Sequence, residues 1–234
     1  DLENAYNSID RSEVLAAVKI FFPELEAWYR LCYDTPAKLY CEGKMLPFES
    51  AQGVQQGDPL GPVLFALGLW RTCRKLKDTL RDETLSVWFL DDGTIVGEAD
   101  EVARAWEIIQ AEVQRVGLRV NRTKCELIPP QDCHEEPPVA LRGIPRVAGS
   151  DFELLGAPIG GRKFCEDFLH KRVLKIQAAL KNLDIIDDPQ VELLLIRYCL
   201  AFPRFVFCMR SVASEDMKEA VHEFDSMISS VLRE

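Results

Sequence analysis

The stretch Trp88–Gly97, Trp-Phe-Leu-Asp-Asp-Gly-Thr-Ile-Val-Gly, sets two adjacent carboxylates, Asp91 and Asp92, at the joint of two short apolar, β-prone runs. Few chain paths satisfy such a joint. One is a β-hairpin in which Asp92-Gly93 supplies the positive φ of a two-residue type I′ turn. A second reading is a divalent-metal site, because hard cations such as Mg2+ prefer carboxylate oxygens and keep open positions for phosphate. The rest of the chain has to choose between them.

A hydrophobic fraction of 47% over 234 residues supplies a sizeable core for one large domain or two small ones. No apolar run reaches the roughly 18 residues of a membrane span, and the first residues lack the basic, apolar and small-residue blocks of a secretion signal. Neither membrane insertion nor secretion is expected. Cys32, Cys41, Cys73, Cys125, Cys133, Cys165, Cys199 and Cys208 are scattered without a Cys-x-x-Cys ladder, which argues for free thiols in an intracellular setting and against a zinc site. The pair Cys133-His134 has no matching partner in the sequence. A net charge of −10 argues against nucleic-acid binding through the whole surface and leaves only a local basic groove for that purpose.

In chain order, Asp1-Leu2-Glu3-Asn4-Ala5-Tyr6-Asn7-Ser8-Ile9-Asp10 opens without an initiating Met and reads as the start of a fragment. Ser12 is the expected N-cap of a helix with Leu15, Val18 and Phe22 on its apolar face, and Pro23 ends it and starts another through Trp28 and Leu31. Ala37 to Cys41 and Met45 to Phe48 flank a Glu-Gly turn and predict a hairpin. Gln52 to Pro62 packs glycines, glutamines and prolines ahead of an apolar helix. Asp58 and Pro59 suit its cap and first turn, while the glycines permit close approach of a backbone or a base pair and the glutamine amides can donate to sugar and base edges. After the Asp91-Asp92 hairpin, Asp100 is the expected cap of a helix with stripe Val102, Trp106, Ile109, Val113 and Val116, which stops at Gly117. Lys124 lies in a polar loop before a short strand. Residues 129 to 150 read as an irregular connection, and 152 to 160 as a second hairpin. From Phe164 the pattern is helical, with stripes at Cys165/Leu169/Val173/Ile176/Leu180, at Val191/Leu194/Leu195/Tyr198, and at Met217/Val221/Phe224/Ile228/Val231.

The order of these pieces is more telling than any one of them. DLENAYNSIDR, QGVQQGDPLGP, FLDDG, GLRVNRTKCEL and LLGAPIG, in that order, resemble motifs A to E of reverse transcriptases, most closely the non-LTR retrotransposon branch. The resemblance implies an α+β fold: a right-hand polymerase palm, an antiparallel sheet backed by helices, over 1–163, followed by a helical thumb-like region over 164–234.

It also implies an RNA-directed DNA polymerase that uses two Mg2+ ions, or Mn2+, with an RNA template, a DNA primer and dNTPs. Two-metal phosphoryl transfer requires carboxylates holding ions about 3.5–4 Å apart. By the same resemblance Asp1 and Asp91 are the main ligands, Asp92 an orienting neighbour, and the carbonyl of Leu2 a further metal contact. Tyr6 is the sugar-selecting residue, Gln52 and Gly53 line the nucleotide, and Lys124 acts on the leaving pyrophosphate as a general acid. Gly57, Leu155 and Gly156 fall where the family holds primer and template. The family's basic fingers, and further domains of a longer polypeptide, are expected outside this chain, which should not polymerise unaided; action on chromosomal DNA would be nuclear. Two other readings stay open: a decayed or domesticated palm that binds nucleic acid or protein without catalysis, and an RNA-dependent RNA polymerase.

Overall fold

The computed structural model describes residues 1–130, 133 and 135–233, so His134 of the Cys133-His134 pair lies outside the described residues. By contacts the chain divides into two units, one built on Asp1–Leu127 and the stretch ending at Pro145, the other on the residues from Arg146 onward. The division thus falls ahead of the hairpin at 152–159.

In the first unit a single turn of helix, α1 (Ala5–Ser8), leads into α2 (Arg11–Phe21). The cap of α2 is Asp10, whose side chain accepts from the Ser12 amide at 2.8 Å, and not Ser12 itself. A carboxylate ahead of the first turn satisfies an orphan N–H and favours the positive end of the dipole. Helix α3 (Glu26–Tyr33) buries Tyr29 and Tyr33, one turn apart, while Leu31 of the expected stripe is 82% exposed. Helix α4 (Gly61–Thr79) begins after Leu60, with Asp58 accepting from the Leu60 amide two residues short of the predicted role. Its buried face is Leu64, Phe65, Gly68, Leu69, Thr72 and Leu76, and Val63 on the other face is exposed. Gly68 lets α4 approach the α1–α2 junction and α2 closely, since a Cβ there would lie 2.2 Å from Ile9 Cδ1 and 3.1 Å from Val14 Cγ2. Helix α5 (Ala99–Arg115) is capped at Glu98 instead of Asp100. It ends as read, at Gly117 (φ +79), where Leu118 N–H bonds the Val113 carbonyl at 2.8 Å and Gly117 N–H that of Gln114 at 3.2 Å, a Schellman arrangement.

Packed between these helices, Ile9, Val14, Val18, Phe65, Leu76, Ala105 and Val113 form one core. Full burial of each large side chain contributes about 1.5–3 kcal/mol. A smaller cluster joins Ala103 and Trp106 of α5 to Leu141 in the connection after the Lys124 turn. The strands pair only within hairpins among the described residues: β1 (Ala37–Cys41) with β2 (Lys44–Ser50), and β3 (Leu85–Phe89) with β4 (Asp92–Val96). The fold is therefore α+β with small antiparallel sheets. Residues 121–125 form a turn closed by Asn121, whose carbonyl accepts from the amides of Lys124 and Cys125, and the strand expected after it shortens to a single bridge residue at Leu127.

The second unit opens on the hairpin of β5 (Phe152–Leu154) and β6 (Ala157–Ile159). Helices α6 (Arg162–Leu180), α7 (Pro189–Leu195), α8 (Phe202–Ser211) and α9 (Ser214–Val231) follow. The α6 and α9 stripes form the core as read, with Phe205 of α8 stacked on Phe224 at 4.8 Å. The α7 stripe does not. Val191, Leu194 and Tyr198 are exposed, and Ile196 and Ala201 are buried instead. A π-helical turn at Ile196–Leu200 takes Tyr198 off the 3.6-residue stripe, while Val191 and Leu194 lie ahead of it in the seven-residue α7, which buries no residue.

Candidate functional site

The register of β3 and β4 pairs Phe89 with Asp92 and Trp88 with Gly93, so the two turn residues are Leu90 and Asp91. The positive φ expected at Asp92-Gly93 is at Leu90 instead, at φ 58. Gly93 serves a different purpose. A Cβ there would lie 2.7 Å from the ring of Trp88, so the glycine makes room for the indole across the strand pair. Leucine in the left-handed region is uncommon and costs roughly 1–2 kcal/mol, which places local strain at the tip that carries Asp91. The strand alternation half-buries Ser86, Trp88 and Leu90 and exposes Leu85, Val87 and Phe89. Asp91 is half-buried and Asp92 exposed.

Asp1 is held by a separate backbone pairing in the same unit. An isolated antiparallel bridge joins Leu2 to Val120, flanked by bonds from Glu3 N–H to the Arg119 carbonyl (2.8 Å) and from Asn121 N–H to the Asp1 carbonyl (3.0 Å). In that pattern the N–H and C=O of Leu2 itself point away from Val120. The ladder ends there because Asn4 (φ 45) turns the chain into α1. No ladder connects Asp1 to the β3–β4 hairpin among the described residues. What the bridge does bring together is Asp1 and Lys124, whose Nζ lies 3.6 Å from Asp1 Oδ2 at an exposed position. An ion pair so exposed contributes at most about 1 kcal/mol, so the lysine is free to move.

Tyr6, Gln52 and Gly53 converge. Tyr6 on α1 stacks on Phe65 of α4 with ring centroids 4.8 Å apart. Burial, and secondarily the negative charge of Asp91, raises its phenol above the ordinary value. Gln52 Nε2 donates to the Ser8 carbonyl at 2.7 Å. Gly53 (φ +74) is buried against α1: a Cβ would lie 2.3 Å from the Tyr6 carbonyl oxygen, so the room it leaves is taken by the chain's own backbone. Gly57 is exposed, with nothing within 4 Å of its missing Cβ. Leu155 and Gly156, both at positive φ (49 and 83), form the two-residue turn of β5–β6 in the second unit, with Phe207 next to Gly156.

Two groups in the first unit were not singled out from the sequence. Arg11 donates to the carbonyls of Gly53 (2.8 Å), Ser50 (3.2 Å), Tyr33 and Gln52 (both 3.3 Å) and to Ser50 Oγ (3.2 Å). Its guanidinium also lies 5.2 Å from the Tyr33 ring centroid. Tyr33 in turn donates a short hydrogen bond to Asp58, and accepts from the Gln55 amide at 3.3 Å. A signal for Arg11 existed: it occupies the first position of α2, where the helix dipole disfavours a cation, so another partner had to hold it.

A divalent cation needs hard oxygen donors not already claimed by protein cations. The carboxylates of Asp91 and Asp92 fit: neither is in a hydrogen bond or an ion pair among the described residues. No group of three or more His, Cys, Asp or Glu side chains is gathered tightly enough for a metal among those residues. The eight cysteines are unpaired. No helix among the described residues is long and apolar enough to cross a membrane.

Residues 1–157 match the family described as reverse transcriptase (RNA-dependent DNA polymerase), which is most of the chain's 234 residues, and the chain belongs to that family. It is also 31% identical over 133 residues to the retrotransposable element SLACS 132 kDa protein of Trypanosoma brucei gambiense. That match takes in 55% of this chain and 11% of the Trypanosoma protein. Helices α6 to α9 lie beyond the residues that match the family.

Proposed function

We propose that this chain is the palm, with the start of the thumb from residue 164, of an RNA-directed DNA polymerase of the non-LTR retrotransposon type. The observation that carries the reading is the pair of unclaimed carboxylates, Asp91 and Asp92, on a strained turn, with the charge of Asp91 felt at Tyr6. Asp91 and Asp1 are the residues that would hold divalent ions, Mg2+ or Mn2+, with Asp92 and the carbonyl of Leu2 contributing. Such ions lower the pKa of a primer 3′-hydroxyl and neutralise charge on a triphosphate. The chain's own groups do the rest. Tyr6, braced by Phe65, excludes a ribose 2′-hydroxyl by its bulk. Gln52 lies along the incoming nucleotide, and Gly53, packed on the backbone of Tyr6 and Asn7, sets the loop that carries it. Lys124, weakly held by Asp1, moves to the leaving pyrophosphate and supplies a proton. Gly57, Leu155 and Gly156 contact primer and template. RNA template, DNA primer and dNTPs are the partners, and the remaining parts of a longer polypeptide supply the basic surface that a net charge of −10 lacks.

Primer extension on an RNA template by the full-length polypeptide, with dNTPs and Mg2+, tests this. Asp91→Ala should abolish extension, a fall of at least about 10³-fold, as for loss of a group that acts mainly in the transition state. Extension retained in that variant removes the metal role from Asp91. No extension by the unsubstituted polypeptide favours a non-catalytic binding palm.

A further inference from the structure

The loop at 50–58 carries Gln52, the proposed nucleotide contact, yet it contains little that would hold its own shape. Two of its amides are spent on α1 and the residue that follows it: Gly53 N–H bonds the Ile9 carbonyl at 3.1 Å and Val54 N–H that of Tyr6 at 2.7 Å. The carbonyls of Ser50, Gln52 and Gly53 face the other way, and all three are satisfied by one side chain, the Arg11 guanidinium. Five hydrogen bonds from one planar group span three loop residues and the end of α3. None of the five acceptors is a carboxylate. The arrangement continues through Tyr33, whose ring lies under the guanidinium and whose hydroxyl fastens Asp58 at the far end of the loop. The backbone of Arg11 is fastened as well, its carbonyl accepting from Tyr29 Oη at 2.9 Å.

We infer that Arg11 is a positioning residue for nucleotide binding: its guanidinium, continued by Tyr33 and Asp58, sets the Gln52-Gly53 loop against Tyr6. The inference rests on the polymerase reading above. A rigid fork is what this geometry demands. A guanidinium has five donors in one plane, whereas an ammonium is a point charge that cannot reach Gly53, Ser50 and Tyr33 together. Arg11 touches no reacting atom; it acts through Gln52 and Gly53, so its loss should appear in the binding of the nucleotide more than in the chemical step.

The test uses the full-length polypeptide on a primed RNA template, measuring KM for dNTP, kcat and primer–template affinity. Arg11→Lys is expected to raise the dNTP KM about tenfold, with kcat within about threefold and primer–template affinity within about twofold of the parent. Tyr33→Phe keeps the ring under the guanidinium and loses the hydroxyl bond to Asp58; it should raise KM about threefold. A kcat that falls with KM unchanged indicates loss of folded enzyme and overturns the positioning role, as does a KM within twofold of the parent. If Arg11→Lys yields no soluble protein, Tyr33→Phe decides by the same threshold. Asp91→Ala separates the two claims: full extension in that variant refutes the polymerase site itself, while loss of extension there with unchanged KM in Arg11→Lys refutes only the inference about Arg11.

Discussion

Gly53→Ala should be among the most damaging single-methyl additions in the first unit, and its magnitude follows from two separable terms. The first is conformational. At φ +74 an alanine pays about 1 kcal/mol relative to glycine. The second is steric. The new Cβ would meet Tyr6 O at 2.3 Å, Asn7 C at 2.4 Å and Asn7 Cα at 2.5 Å, all backbone atoms that cannot rotate aside. Relief requires moving α1 away from the loop, which strains two amide bonds, Gly53 to Ile9 and Val54 to Tyr6. Overpacking costs about 1–3 kcal/mol and each hydrogen bond roughly 1 kcal/mol, so the steric term is about 3–5 kcal/mol and the two terms sum to about 4–6 kcal/mol. Gly43→Ala isolates the first term, because Gly43 has nearly the same φ (+77) with nothing within 4 Å; about 1 kcal/mol is expected there. Equilibrium urea unfolding followed by tryptophan fluorescence compares them directly, since all four tryptophans, Trp28, Trp70, Trp88 and Trp106, lie in the same unit as both glycines. Two variants equal within about 0.5 kcal/mol would refute the packing argument and leave φ as the whole effect.

Two more outcomes follow from buried polar groups. Glu101, 4% exposed, accepts from the Arg81 amide at 3.0 Å and pairs with the Arg81 and Arg104 side chains. Glu101→Ala should therefore destabilise by about 1–3 kcal/mol in chemical unfolding, and an unchanged midpoint would mean that water replaces the carboxylate. Burial, then the bond to Asp58, pushes the Tyr33 phenol from 10.0 up to about 12, and burial moves Tyr29 the same way. The folded state thus resists an ionisation that the unfolded chain undergoes, so this stability is complete below pH 10 and is lost as pH rises toward 12. Tyrosinate absorbance followed through alkaline unfolding checks it. A Tyr33→Phe variant should show a shallower decline over that interval, and identical slopes would sink the assignment.

Helix periodicity was legible where burial followed an unbroken 3.6-residue repeat. The stripes of α5, α6 and α9 are the buried faces, because an amphipathic helix on a core has one stable orientation. The same reasoning failed at α7, which buries no residue before the π turn at Ile196–Leu200 breaks the repeat, and at α3, where Tyr29 and Tyr33 displaced the expected Leu31 face. Caps were misplaced by one or two residues at α2, α4 and α5, since several adjacent side chains could serve and only the local path selects one.

From the sequence alone came the motif order, the hairpins around Glu42-Gly43 and Leu155-Gly156, and the adjacency of Asp91 and Asp92, because each depends on neighbours a few residues away. Tertiary structure decided which residue of the acidic hairpin takes the strained φ, since the ring of Trp88 claims the space over Gly93 and shifts the turn to Leu90-Asp91. It also decided that Lys124 meets Asp1, and that Arg11 holds the Gln52-Gly53 loop. These contacts join residues about 40 to 120 positions apart, and no local propensity encodes such a distance; only the packing of α2, α4 and α5 into one core brings them within reach.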